Sequence, residues 1–456
     1  MRLVSTAAAS RGAHVGPLVS EPGSIVHTVS FRDALLTGLS PDGGLYLPAA
    51  LPSFSADEVV GWRGGGIAVV AARVLGGLVG DEFEPETFEG LVRDAFDFPA
   101  PTVAVQEGIH VLELFHGPTL AFKDFGARFL GRVFGSLLSG QGGRATILVA
   151  TSGDTGSAVA QGFHGVATLR VAVLYPAGRV SPFQEAQMAT LGGNISAVRV
   201  PGSFDDCQRL VKAAFLDESL ESLNLSSANS INIGRLLPQA VYYFAALLAL
   251  SSAETPGAGL PDALFSVPSG NLGNLTAGVI AQRCGLPVTR FVAASNVNDV
   301  LPEYLATGRY RARSPLPTIS NAMDVGDPSN FVRLAALHGG ALQRLRENVA
   351  GFSVCEDETR ATIRGVYRET GYILDPHSAV GYAAARRYRA ETGEKRPIVT
   401  LATAHPAKFA QTIREELGFE PPLPEEYREW ASRPLLAHTL PDTSYDTFRR
   451  WLQTIA

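Results

Sequence analysis

The feature that most constrains the fold is an alternation of apolar, β-rich segments with amphipathic segments between about residues 144 and 296. Five apolar runs are candidate strands: ATILVA (145–150), LRVAVLY (169–175), SAVRV (196–200), ALFSV (263–267) and RFVAA (290–294). Continuous apolar runs separated by turns and helical patterns are typical of strands buried on both faces of a parallel sheet. The pattern predicts an α/β protein with open, twisted, doubly wound sheets, which bind ligands at the carboxyl ends of their strands.

The chain of 456 residues is long enough for more than one domain. We expect a smaller N-terminal region over residues 1–110, with helical stretches near 57–78 and 84–96. Residues 111–410 are predicted to form a core of two intertwined α/β subdomains that ends in a last strand within RPIVTLATAHPAKF (396–409). The remaining residues, 411–456, are predicted to form a helical tail.

Charge and cysteine content narrow the class of protein. A net charge of −6, with lysines and arginines scattered along the chain, disfavours a nucleic-acid partner. The three cysteines, Cys207, Cys284 and Cys355, are too far apart to indicate a disulfide framework or a zinc site, so we expect no metal and a cytoplasmic location. The longest apolar run, VYYFAALLAL (241–250), is too short to cross a bilayer, and no membrane partner is expected.

One lysine has an unusual apolar setting. The segment FHGPTLAFKDFGARF (115–129) places Lys123 among four phenylalanines and a leucine. A buried ammonium is costly unless it is paired or loses its charge, and a lysine of lowered pKa can act as a nucleophile or a base. The alternative is an ordinary helix lysine that reaches the surface and pairs with Asp124 or Glu113.

Three loops that follow predicted strands carry polar residues suited to binding. The first, TSGDTGSAVA (151–160), resembles an anion site at a helix N-terminus, although ordinary caps and turns use the same residues. The second, PSGNLGNLTAG (268–278), lacks both the dinucleotide fingerprint and the P-loop lysine, and therefore favours a smaller phosphorylated ligand. The third, LATAHPAKF (401–409), offers Thr403 and Lys408, whereas its His405 is more often a structural residue.

A lysine in an aromatic setting, an anion-binding loop and a glycine-rich phosphate loop are the parts that a pyridoxal-phosphate enzyme needs. Eight blocks of this chain resemble the threonine synthase family in its long form. They occur in family order after an N-terminal block, SFRDALLTGLSPDGGLYLP (30–48): FHGPTLAFKDFGARFL, ATSGDTGSA, YPAGRVSPFQEAQM, NSINIGR, VPSGNLGNLTAG, SNAMDVGDPSNF, LDPHSAVGYAA and LATAHPAKF. The resemblance implies the type II fold of pyridoxal-phosphate enzymes and the conversion of O-phospho-L-homoserine and water to L-threonine and phosphate.

The resemblance also implies roles for individual residues. Lys123 would hold pyridoxal 5'-phosphate covalently, and Thr403 would bond its pyridine nitrogen. The cofactor phosphate would lie against Gly270, Asn271, Leu272, Gly273 and Asn274. The substrate, most plausibly through its α-carboxylate, would meet Ser152, Gly153, Asp154 and Thr155. The leaving phosphate needs a second anion subsite, for which the candidates are Asn232, Arg235, Asn321 and Ser329.

Two other interpretations stay open at this level. A paralogue of the same fold could act as a lyase on O-phosphohomoserine or exchange another γ-substituent, and the carboxylate of Asp327 beside the predicted phosphate subsite would favour that. A binding protein without catalytic activity could retain the fold, although an intact lysine and both anion loops argue against it. In each case the expected partner is a small molecule, and the chain is expected to be a monomer or a homodimer.

Overall fold

The computed structural model of the chain describes residues 1–7, 28–140, 142–254 and 259–455. Residues 8–27, which belong to the predicted N-terminal region, lie outside the described residues. The described chain forms a three-stranded, a six-stranded and a five-stranded sheet, with helices packed around them.

The strands are β1 Arg2–Ser5, β2 Val29–Ser30, β3 Tyr46–Pro48, β4 Thr102–Gln106, β5 Ile109–Glu113, β6 Ala145–Ala150, β7 Leu169–Pro176, β8 Ile195–Val200, β9 Leu225–Ser227, β10 Ala263–Pro268, β11 Val288–Ser295, β12 Val349–Ser353, β13 Ile398–Ala402 and β14 His438–Thr439. The α-helices are α1 Phe31–Thr37, α2 Ala56–Val60, α3 Gly66–Val79, α4 Pro85–Ala95, α5 Lys123–Ser139, α6 Asp154–Phe163, α7 Pro182–Ala189, α8 Phe204–Phe215, α9 Ile233–Leu236, α10 Ala240–Glu254, α11 Gly273–Arg283, α12 Val300–Thr307, α13 Phe331–Leu337, α14 Leu342–Asn348, α15 Glu356–Thr370, α16 Pro376–Thr392, α17 Ala410–Leu417 and α18 Tyr445–Thr454. Short 3-10 turns cover Gly80–Glu82, Glu218–Leu223, Leu237–Gln239, Asn321–Met323, Pro406–Phe409 and Glu425–Ser432.

The six-stranded sheet has the order β12-β11-β10-β13-β5-β4, and only the edge strand β4 runs antiparallel to its neighbour. Its central strands are apolar and fully buried, as in β10, because helices cover both faces of a parallel sheet. Register places Leu264 opposite Ile398, and Ile398 opposite Ile109. The carboxyl ends of β10, β13 and β5 therefore emerge side by side at one edge.

The five-stranded sheet is entirely parallel, with the order β14-β8-β7-β6-β9. Its central strand β7 pairs along its length with β6 and β8, and all of these strands run through buried positions. The C-terminal tail contributes the edge strand β14 and the helix α18, which packs against α8. The tail is thus part of this sheet as well as helical.

The predicted α/β class and the five predicted strands are confirmed, within one or two residues at their ends. The predicted N-terminal helices appear as α2, α3 and α4. The segment 301–318 begins within helix α12 and becomes irregular after Thr307. The domain boundaries at residues 110 and 410 stay a prediction, although β4 and β5 join the six-stranded sheet from residue 102 onward.

A continuous helical stretch, Ile233–Ser251, is the one segment among the described residues that is long and apolar enough to span a membrane. Most of this stretch is buried inside the protein, and its tyrosines Tyr242 and Tyr243 are fully covered. Apolar character all around a helix is what a core position requires. We interpret the stretch as a core helix.

Candidate active site

The loops that follow three neighbouring strands of the six-stranded sheet meet at one edge. The glycine-rich loop follows β10, Thr403 follows β13, and the segment that leads to Lys123 follows β5. From the five-stranded sheet, the 151–155 loop follows β6 and the segment that carries Arg235 follows β9. The two sheets therefore face each other across a cleft at the carboxyl ends of their strands, where ligands bind in folds of this kind.

Lys123 is the first residue of helix α5, and backbone contacts fix the turn that precedes it. Leu120 has a left-handed backbone with φ 56°. The Phe122 N–H donates to the Thr403 carbonyl at 2.9 Å, and the His405 N–H donates to the Leu120 carbonyl at 3.0 Å. These bonds hold the lysine segment and the Thr403 loop together, so Lys123 and Thr403 share one site.

The amine of Lys123 has no ion-pair or hydrogen-bond partner among the residues that the structure describes. Asp124, one partner considered from the sequence, accepts from the N–H and the hydroxyl of Thr119 instead. Glu113, the other, bonds His116 and Tyr372. Lys123 as a residue is half-buried, so part of it stays accessible to solvent.

Three charged groups lie around this amine: Asp154, Lys408 and Arg235. Burial lowers the pKa of the Lys123 amine from 10.5 to about 8; Asp154 opposes the shift, whereas Lys408 and Arg235 add to it. A lysine in this state releases its proton near neutral pH, as a nucleophile or a base must.

The glycine-rich loop presents unpaired backbone donors. In the described chain the N–H groups of residues 271–274 have no partner within the protein. Leu272 adopts a left-handed conformation with φ 59°, and helix α11 begins at the next residue. At Gly270 an added Cβ would lie 2.8 Å from the Ala322 carbonyl oxygen, so only glycine fits there. Unpaired N–H groups at a helix start form a cradle for a phosphate.

The 151–155 loop also forms a helix start, and its Asp154 is already engaged. The Thr151 hydroxyl accepts from the N–H groups of Gly153 and Gly156 at 3.0 and 2.9 Å. The Asp154 carboxylate lies 2.5 Å from the Lys408 ammonium and accepts from Gln184 at 3.0 Å. Burial raises the pKa of the Asp154 carboxyl. The charges of Lys408 and Lys123 outweigh this effect and bring the pKa well below its usual range. Ser152 is exposed and Thr155 is half-buried at the mouth of this loop.

Arg235 is a buried guanidinium with spare donors. Its Nη1 donates to the Ala228 carbonyl at 2.7 Å, whereas its Nε is buried and has no partner in the described chain. It passes beside helix α5, since a Cβ added at Gly126 would lie 3.1 Å from its Nε. Burial lowers the pKa of Arg235 to about 10, an effect that Asp124 opposes, so the group stays charged. Because Arg235 has no ion-pair partner in the described chain, this arrangement suits the binding of an anion.

The other three candidates for the phosphate subsite differ in their availability. Both amide hydrogens of Asn232 are committed to the carbonyls of Leu35 and Ser227, and its oxygen caps helix α9, so it has no donor left for an anion. Ser329 donates to the Asn271 side chain of the glycine-rich loop at 3.2 Å. Asn321 is exposed in a short turn.

Two further residues that the sequence singles out, Asp327 and His405, each have partners within the protein. The Asp327 carboxylate is exposed and accepts from the Tyr310 hydroxyl at 2.7 Å. His405 accepts from the Ala407 N–H through Nδ1 and packs edge-on against Phe115. Burial, with the His116 charge, lowers the pKa of His405 to about 4, so this ring is neutral and structural.

These features fit pyridoxal phosphate: the half-buried lysine without a partner, the cradle of N–H groups, and a Thr403 hydroxyl that bonds no residue of the described chain. The metal-ligating residue types, in contrast, form no group of three or more among the described residues. The fold and these loops define the class, a pyridoxal-phosphate-dependent α/β enzyme.

Comparisons with known proteins agree. A family model for pyridoxal-phosphate dependent enzymes matches residues 98–404. Models for the N terminus and the C-terminal part of threonine synthase match residues 20–96 and 378–451. The chain belongs to the threonine synthase family.

Individual relatives are similar over almost their whole length. Threonine synthase of Serratia marcescens is 44% identical over 425 residues, which cover 93% of this chain and 96% of that protein. Threonine synthase of Escherichia coli K12 is 45% identical over 414 residues, which cover 91% and 94%. The crystal structure of the threonine synthase from Brucella melitensis with bound pyridoxal phosphate has a TM-score of 0.89 at 37% identity and covers 100% of this chain and 99% of that one.

The sequence did not reveal the polar residues that support the site. Lys408 was noted only as part of its loop, and the structure pairs it with Asp154. Arg333 is fully buried and bonds the carbonyls of Tyr46, Ser230 and Ile231 and the Asn330 side chain. The sequence carried no signal for the contacts of Lys408 or Arg333, because most of their partners come from distant segments of the chain.

Proposed function

We propose that the protein converts O-phospho-L-homoserine and water to L-threonine and inorganic phosphate. One observation carries the assignment of the centre: Lys123 is half-buried, has no partner in the described chain, and stands where the loops after β5, β10 and β13 meet. Membership of the threonine synthase family supports the choice of reaction.

The lysine content supports Lys123 as the attachment point. The sequence contains four lysines: Lys123, Lys212, Lys395 and Lys408. Lys212 lies near the end of helix α8 and Lys395 precedes β13, and both are exposed. The Lys408 side chain is fully buried in an ion pair. Only Lys123 is half-buried and has an amine without a partner in the described chain, and burial lowers the pKa of that amine to about 8.

The remaining binding roles follow from the donors on each side of the cleft. The N–H groups of residues 271–274 would hold the cofactor phosphate, and the Thr403 hydroxyl would bond the pyridine nitrogen. A hydroxyl in place of a carboxylate there would leave that nitrogen less firmly protonated. The Ser152 and Thr155 hydroxyls and the N-terminus of α6 receive the substrate α-carboxylate. Arg235, with Ser329 and Asn321 nearer the surface, binds the leaving phosphate.

The overall change breaks the Cγ–O bond of the substrate, replaces one hydrogen at Cβ by the hydroxyl of water and adds one hydrogen at Cγ. The other hydrogen of water leaves with the inorganic phosphate. Pyridoxal phosphate, when bound, supplies the electron sink that stabilises negative charge next to the amino group. The Lys123 amine removes the proton at Cα and returns protons at later positions, which a pKa near 8 allows at physiological pH. Arg235 stabilises the charge on the departing phosphate because its Nε is already desolvated and has no partner in the described chain.

We also propose a cytoplasmic location for this soluble enzyme, supported by three free cysteines, of which Cys207 and Cys284 are buried. A monomer or a homodimer stays the prediction for its assembly. No membrane and no nucleic-acid partner is proposed.

The function is tested by incubating the purified protein, loaded with pyridoxal phosphate, with O-phospho-L-homoserine and quantifying the products. We expect threonine and phosphate in equal amounts. Phosphate released with 2-oxobutyrate instead of threonine would indicate the lyase, and no release of phosphate would indicate a paralogue for another γ-substituent.

A further inference from the structure

A buried ion pair joins the two sheets beside Lys123. The Lys408 side chain is fully buried and its Nζ lies 2.5 Å from Oδ1 of Asp154, whose side chain is 6% exposed. Lys408 lies in the turn after β13, and Asp154 opens helix α6 after β6. A buried pair of this kind is costly unless further hydrogen bonds satisfy both groups. Here Gln184 donates to Asp154 at 3.0 Å, and Lys408 also donates to the Thr119 carbonyl at 2.9 Å.

The second contact of Lys408 reaches the turn that carries Lys123. Thr119 gives its carbonyl to Lys408, while its N–H and hydroxyl donate to Asp124 at 2.8 and 2.5 Å. Asp124 directly follows Lys123 in helix α5. One ammonium therefore holds both the carboxylate that faces the Lys123 amine and the turn from which Lys123 extends.

Charged groups face these two lysines from several neighbouring elements. Lys123 is faced by Asp154 from α6, Lys408 from the turn after β13, and Arg235 from α9. Lys408 in turn is faced by Asp154, Asp124 and His405. Asp154 raises the pKa of Lys123 and does so more strongly than Lys408 lowers it. Removal of Lys408 alone should therefore raise the pKa of Lys123, whereas removal of Lys408 and Asp154 together should lower it.

We propose that Lys408 is a positioning residue for the reaction: it locks the Asp154 carboxylate and the Thr119 turn together across the cleft and so fixes the place of the Lys123 amine. This inference rests on the proposed function for its catalytic meaning. The contacts by which Lys408 fixes Asp154 and the Thr119 turn do not depend on the identity of the substrate. A loss of about 100-fold in kcat/KM is expected when such a lock is removed, because a displacement of about 1 Å has that effect.

The test compares Lys408→Met with the double variant Lys408→Met/Asp154→Asn, and uses Lys395→Met as the matched control at an exposed lysine. The full-length protein is freed of cofactor, Lys123 is labelled with an amine-reactive reagent across a range of pH, and the labelled peptide is quantified by mass spectrometry. Thermal stability of each variant and kcat and KM of the cofactor-loaded enzyme are measured in parallel.

We expect the labelling midpoint of Lys123 to rise in Lys408→Met, because a nearby cation is lost, and to fall below the parent value in the double variant, because the stronger carboxylate is lost as well. The double variant should recover stability, since it leaves no unpaired buried charge, yet its kcat should stay low. Lys395→Met should match the parent in every readout.

The inference is overturned if the double variant regains both the parent midpoint and the parent kcat, because the pair would then serve stability alone. If Lys408→Met does not fold, the midpoint of the double variant decides by itself: a lower value supports the inference and an unchanged value contradicts it. A parent protein that makes no threonine would refute the proposed function, while the labelling midpoints would still report on Lys408.

Discussion

The backbone N–H of Phe122 donates to the carbonyl of Thr403 at 2.9 Å, and this bond joins two of the loops that form the candidate active site. Ala121 and Ala404 form an isolated antiparallel bridge at the same place. The strands that lead to these loops, β5 and β13, are hydrogen-bonded neighbours. The lysine segment and the Thr403 loop therefore form one supported unit, and the chemistry predicted for Lys123 can be tested residue by residue.

Lys123 is predicted to hold the cofactor. Reduction of the loaded protein with borohydride should place a pyridoxyl group on the peptide that contains Lys123, since this residue is only half-buried and its amine has no partner in the described chain. Peptide mapping by mass spectrometry makes the measurement. Lys123→Ala should keep the thermal stability of the cofactor-free parent and lose turnover. A pyridoxyl group on Lys408 would show that the assignment is wrong.

The glycine-rich loop is predicted to hold the cofactor phosphate through its backbone. At Gly273 an added Cβ meets only Asn330 and Gln239, at 3.6 and 3.7 Å, so Gly273→Val should fold while its branched side chain obstructs the N–H groups. Its affinity for pyridoxal phosphate should fall roughly tenfold or more, the effect of losing about one hydrogen bond to a charged group. Asn271→Ala is the control, and a spectroscopic titration should find a smaller effect there. Equal affinities of Gly273→Val and the parent for pyridoxal phosphate would contradict the phosphate-binding role of this loop.

Arg235 is predicted to bind the leaving phosphate. Arg235→Ala should cost about 2–5 kcal/mol in substrate binding or transition-state stabilisation, the range for removing one partner of a buried charged interaction. Arg235→Lys keeps the charge but loses the planar donors, so its loss of binding or transition-state stabilisation should be smaller than that of Arg235→Ala but still measurable against the parent. Steady-state kinetics with O-phosphohomoserine and inhibition by inorganic phosphate measure the effect. Unchanged phosphate inhibition in Arg235→Ala would move the subsite elsewhere.

Asp327 is predicted to have little influence on the substrate. Its carboxylate is exposed and bonded to the Tyr310 hydroxyl, and an exposed charge is well screened by solvent. Asp327→Asn should therefore keep kcat/KM for O-phosphohomoserine within about twofold of the parent. Tyr310→Phe, which releases the carboxylate, serves as the comparison. A large gain in Asp327→Asn would mean that the carboxylate does face the phosphate.

The sequence predicted the strands β6, β7, β8, β10, β11 and β13 and the three polar loops, because strands covered on both faces leave continuous apolar runs that end in polar or glycine-rich turns. It did not predict the three strands of the N-terminal sheet or β5, β9 and β12. It also missed two strands at sheet edges: β4, whose residues are only partly buried and follow two prolines, and β14, which has two residues. Short strands at sheet edges carry too few residues to show a period.

Contacts between distant loops were beyond the sequence for a different reason. Which loops meet depends on the order of strands, and the neighbours β10, β13 and β5 are far apart along the chain. The ion pair of Asp154 with Lys408, and the commitment of Asn232 to helix capping, depend on that order. Residue types alone could nominate Asp154 and Asn232 as ligand contacts but could not show that other groups already occupy them.

The fate of the oxygen of water tests the central claim most directly. The reaction is run with O-phospho-L-homoserine in water enriched in heavy oxygen, and threonine and phosphate are analysed by mass spectrometry. Cleavage of the Cγ–O bond followed by addition of water at Cβ predicts one heavy oxygen in the threonine hydroxyl and none in the phosphate. Heavy oxygen in the phosphate, with homoserine as the other product, would mean hydrolysis at phosphorus and would contradict the account.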